Sequence, residues 1–194
     1  MTTLARATIH VMAARARCSP STIMAVAVAA GVLAASVAIG VTAFQSTGPV
    51  GGDVFRLEGT SVEVCLQILG RNLGAGLLLF SGFVTAGTTT LMGLVFIGTW
   101  VGAGSAAVSA EVGLSGVSPL VVLYLPLEFG GLLLASGAGL LPLVRFIARE
   151  FAQGPPRRHD SRPSHATSLR LGALGGALIG VGAVVETLVI LLQT

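Results

Sequence analysis

The chain has 194 residues, of which 53% are hydrophobic and only 10% charged, and its mean hydropathy is +0.90. A soluble domain carries roughly 25% charged residues, so too little charge is present to cover a water-facing surface, and the composition points to the membrane. The net charge of +3, with all eleven basic residues being Arg, is too small to suggest nucleic acid as a partner.

Residues 1–20 hold Arg6, Arg15 and Arg17 and no acid. The uncharged run from Ser21 to Phe44 follows. A helix rises about 1.5 Å per residue, so about 20 residues cross a hydrocarbon core of ~30 Å. A first span is therefore expected over 21–44. Val41-Thr42-Ala43 weakly resembles a signal cleavage site, but the run exceeds the ~7–15 residues of a signal core, which favours an uncleaved anchor.

An outer loop is expected over 45–69. Its first part, Ser46 to Gly52, has turn chemistry. In its second part Val62, Cys65, Leu66 and Leu69 share a helical face. That face suits either a short interfacial helix or the first turns of the next span.

Between Asn72 and Val144 only Glu111 and Glu128 are charged, a length that fits three spans. They are expected at 70–87, 90–109 and 118–143, with breaks at Ala86–Thr90 and Ala110–Pro119. Arg145 to Arg170 holds six Arg, together with Gly154-Pro155-Pro156 and Pro163, and reads as a cytoplasmic loop over 145–170. A fifth span is expected over 171–192.

The fold class is thus all-α, a single polytopic transmembrane bundle of about five helices in the lipid bilayer. Arg-rich flanks favour the cytoplasmic side. Four spans between the two basic clusters place both inside, with the N-terminus cytoplasmic and the C-terminus outside.

Lipid tails provide no hydrophobic drive between helices, so close packing relies on small residues. Gly98 with Gly102, and Gly172 with Gly176 and Gly180, are spaced by four and are expected at helix contacts. Such faces serve internal packing more often than a specific oligomer.

Glu128 and Glu186 are the informative residues, each within an apolar stretch. A carboxylate at the helix centre costs roughly 2.5–3.5 kcal/mol on insertion scales. Pro126 lies two residues before Glu128 and frees a carbonyl one turn earlier. The functional reading is a polar site for a proton, ion or substrate, with Asn72 as a further candidate. The structural reading is a buried hydrogen bond between helices, from Glu128 to Thr, Ser or Glu186. No Arg is expected inside the spans to pair with either acid.

Cys18 and Cys65 flank the first span on opposite sides, so no disulfide is expected. His10, His159 and His165 sit in Arg-rich segments without zinc-site spacing and read as solvated. No phosphate-binding glycine loop and no intramembrane protease signature is present. No cofactor, no metal and no enzyme activity is expected.

Four segments resemble the stage II sporulation protein M family of bacterial membrane proteins, over about residues 60–194. Ile68-Leu69-Gly70-Arg71-Asn72-Leu73 resembles the family's apolar approach to a span that ends in an Asn pair, of which Asn72 is kept. Gly82 to Gly102 resembles its Gly-rich third segment. Glu128-Phe129-Gly130-Gly131 through Leu140 resembles its acid followed by an Ala/Gly-rich run. Val184-Val185-Glu186-Thr187 resembles its late Glu. The family's Pro-His-Gly is replaced by Leu123-Tyr124-Leu125, so no role of that His carries over.

The resemblance implies a non-enzymatic scaffold or transport-accessory component of the bacterial cell membrane. Its implied partners are a membrane or cell-wall protein or a transporter ATPase. The alternative is a permease-like subunit, for peptide or small-molecule export or immunity, with Glu128 and Glu186 lining a polar site.

Overall fold

The computed structural model describes residues 19–47, 61–112, 121–151 and 164–193. Among them are five long helices and no strand. They are α1 (Pro20–Thr47), α2 (Ser61–Phe80), α3 (Thr88–Val112), α4 (Val121–Phe151) and α5 (Ser164–Gln193), with one 3-10 turn at Ser81–Phe83. Each of the five is long and apolar enough to cross a membrane, so the chain is a multi-pass membrane protein.

The residues that meet across the interfaces set the direction of each helix. Gly40 abuts Thr99 and Gly102 abuts Val37, while Gly98 abuts Ser36, so α1 and α3 run parallel. Gly131 meets Gly175 and Gly182 meets Glu128, so α4 and α5 are antiparallel. Gly137 meets Val26 and Arg145 reaches Ser21, so α4 also opposes α1. The helices therefore alternate up and down along the chain.

The α4–α5 and α1–α3 interfaces are the most extensive, and α4 touches every other helix. Fully buried Leu79, Leu94, Leu140, Leu141 and Ile179 meet around α4. This apolar core fills the half of the bundle nearest the α2–α3 turn.

That turn is tight. Ala86 and Gly87 have φ of 52° and 90°, and the Gly87 amide donates to the Gly82 carbonyl at 2.6 Å. A Cβ on Gly87 would stand 3.0 Å from Leu143. Left-handed backbone and lack of space both demand glycine there. Thr90 Oγ1, buried at the start of α3, donates to the Leu79 carbonyl at 2.5 Å and ties the two helices together. The break expected at Ala86–Thr90 therefore lies over 81–87.

Several expected boundaries move. The second span begins near Ser61 instead of residue 70, so 61–69 is helix and not outer loop. Val64 and Ile68 are buried against Ala183, which explains why the helix starts early. The fourth helix runs past 143 to Phe151, with Pro126 and Pro142 both inside it. Arg145 Nε, 3.4 Å from Ser21 Oγ, joins the two Arg-bearing ends of the bundle. The fifth helix starts at Ser164, seven residues before the expected span. The remainder of the basic loop and the 113–120 break lie outside the described residues.

Candidate intramembrane polar site

Glu128, Glu186 and Asn72, 114 positions apart in sequence at the extremes, meet in the bundle. Asn72 Nδ2 donates to Glu128 Oε1 at 2.6 Å. Glu186 lies beside Glu128, close enough for the two carboxyl groups to interact. Tyr124 lies close enough to interact electrostatically with both carboxyl groups. All four side chains are partly buried.

The helices explain how the cluster forms. Tyr124 and Glu128 are four residues apart on α4, hence on one face. Gly182 stands one turn before Glu186 on α5. A Cβ there would fall 2.6 Å from Glu128 Cγ, so the missing side chain makes room for the glutamate. Gly131 and Gly175, each with a would-be Cβ 2.7 Å from the other's carbonyl oxygen, hold α4 and α5 close just below.

Depth follows from position. Glu128 lies seven residues after the start of α4 and Glu186 seven before the end of α5, or about 10 Å in each case. Asn72 lies near the middle of the span Val62–Phe83. The cluster therefore sits at membrane depth, on the side opposite the α2–α3 turn.

The chemistry of the pair is constrained. Ionised carboxylates only accept hydrogen bonds. A hydrogen bond between two glutamate side chains therefore requires one of them to be protonated. The Asn72 amide donates to Oε1 and leaves Oε2 of Glu128 without a bond from Asn72.

Other expected residues are placed as follows. Gly98 and Gly102 lie against α1, where a Cβ would run into Ser36 and the Val37 carbonyl respectively. Gly172 lies against the Phe80 ring. Gly176 and Gly180 face open space and are not packing residues. The ridge that α5 uses is Gly175, Ile179 and Gly182, offset by one to three positions. His165 is exposed but sets its ring edge-on to Phe83, with centroids 5.2 Å apart. Cys65 is half-buried and free, while Cys18, His10 and His159 lie outside the described residues.

Arg71 stands at the very edge of the span expected over 70–87, and the earlier start of α2 sets it deeper. It lies mid-way along Val62–Phe83 and is exposed, turned away from its neighbour Asn72. Sequence reasoning also missed Gly182 and the place of Tyr124 beside the acids. The one-turn spacing of Tyr124 from Glu128 and of Gly182 from Glu186 was the available signal.

Among the described residues no group of three His, Cys, Asp or Glu is arranged to hold a metal ion. Comparison with protein-family models, with curated proteins and with solved structures finds no match.

Proposed function

We propose that the protein is a permease-like, non-enzymatic component of a bacterial cell membrane, in which Glu128 and Glu186 carry an exchangeable proton. The single observation behind this reading is the pair itself: two carboxyl groups from different helices, set beside each other at membrane depth, with Asn72 on one oxygen of Glu128. Ionisable groups inside spans are costly and characteristically mark proton and substrate paths. Release of the shared proton leaves like charges face to face, which favours separation of α4 from α5. Proton binding and helix movement are linked through that repulsion.

The test is complementation of a deletion strain with Glu128→Gln and Glu186→Gln at matched membrane abundance. Loss of the strain's transport or immunity phenotype is expected for each. Infrared spectroscopy of the purified protein should show a protonated carboxyl band that either substitution removes. Two variants that both retain full function refute the reading.

The second reading is the scaffold or transport-accessory role implied by the resemblance to stage II sporulation protein M, with a transporter ATPase or cell-wall protein as partner. One observation favours it: α2 turns a polar face outward at membrane depth, with Arg71 on it.

A further inference from the structure

The outward face of α2 differs from that of α3. On α3 the exposed side chains include Met92, Val95 and Phe96, as expected of a surface in lipid. On α2 exposed Val62, Leu66, Leu77 and Leu78 flank a polar stripe of Glu63, Gln67 and Arg71, spaced by four, beside Gly70 and Gly74. A Cβ on either glycine would meet nothing within 4 Å. Arg71 is ten residues from Ser61 and twelve from Phe83, about 15 and 18 Å along the axis. That is deeper than the snorkelling which carries an Arg near a helix end to the interface.

We infer that this face of α2 docks a membrane helix of a second protein, one that carries an Asp or Glu level with Arg71 and approaches closely over Gly70 and Gly74. Two properties of the face converge on such an occupant. The glycines let another backbone approach closely, as small residues do at membrane helix crossings. The guanidinium needs an anionic, hydrogen-bonding partner, and a carboxylate fits its fork in bidentate fashion.

A second copy of this chain fits less well. Two copies inserted in the same orientation pair about an axis along the membrane normal, so identical residues sit at identical depth. Arg71 would then be level with Arg71 and Glu63 with Glu63, eight residues or about 12 Å apart along the helix. A different chain can set a carboxylate level with Arg71. The inference rests on α2 alone and stands or falls apart from the carboxyl pair.

The experiment places a photoreactive benzoylphenylalanine at Leu77, on the edge of the face, in the full chain in its native membrane. The same probe at Phe96 on α3 serves as the lipid-facing control. The expected result is an adduct from Leu77, and none from Phe96, with a different protein whose span contains an Asp or Glu. Arg71→Glu should lower the adduct yield about tenfold or more, as breaking a desolvated charge pair would. Changing the partner's acid to Arg in that background should restore it, which also shows that the Arg71→Glu chain folds. An adduct of twice the chain's own mass, adducts with lipid only, a yield indifferent to Arg71→Glu, or failure of the charge swap to restore it would each overturn the inference.

Discussion

Buried hydroxyl groups in this bundle are mostly satisfied within their own helix. Ser36, Ser136 and Thr187 donate to the carbonyl one turn earlier, at 2.8, 2.7 and 2.7 Å. Among the described residues Ser168 is fully buried with its Oγ unpartnered. A buried unpaired hydroxyl costs about 1–3 kcal/mol. Ser168→Ala should therefore raise the melting temperature in detergent, whereas Ser136→Ala should not. Asn72 presents the opposite case, because its amide is the donor to Glu128. Hydrogen bonds between membrane helices average about 0.6 kcal/mol and reach about 1.7. Asn72→Leu should destabilise by about 1 kcal/mol in the same melting assay. In an Asn72→Leu, Glu128→Leu double variant the loss should be less than the sum of the single losses, since both remove one bond.

At the scale of helices, glycine position separates contact from exposure. Gly131, Gly175 and Gly182 hold α4 and α5 together, whereas Gly176 and Gly180 on the same helix meet nothing. Gly175→Leu should force the two helices apart and cost more than the ~1–3 kcal/mol of ordinary overpacking, because the clash is with the Gly131 and Ala135 backbone and cannot be relieved by a rotamer change. Gly176→Leu and Gly180→Leu should change stability by no more than about 0.5 kcal/mol. Thermal unfolding of the three variants in one detergent compares them directly. A similar loss for Gly175→Leu and Gly176→Leu would contradict the α4–α5 interface. The boundaries of α2 also belong to this scale. Its first turns read as either interfacial or spanning, because Val62, Cys65, Leu66 and Leu69 suit both. Burial of Val64 and Ile68 against α5 decides for the span.

For the whole molecule, the alternation of the five helices puts the Arg-bearing ends of α1 and α4 together, where Arg145 reaches Ser21. With both basic clusters cytoplasmic, the exposed turn residues Val84 and Thr85 are inside as well. In a chain with Cys18 and Cys65 replaced by Ser, a cysteine at Thr85 or Arg158 should resist an impermeant maleimide applied from outside. A cysteine at Glu58 should react. Labelling of Arg158→Cys in intact cells would reverse the orientation.

Membrane class, five spans and the shared side of the two basic clusters were all legible in the sequence. Hydropathy, span length and Arg position are properties of the chain taken in order, and they need no knowledge of neighbours. The tertiary structure alone decided which faces meet. In α1, α3 and α5 apolar residues surround the helix on every side, since lipid and protein interior are equally apolar surroundings, and no stripe marks the side that packs. The rotational setting of each helix was therefore hidden. It selects Gly175 over Gly176, turns Arg71 outward and Asn72 inward, and brings Glu128 and Glu186 from separate helices side by side.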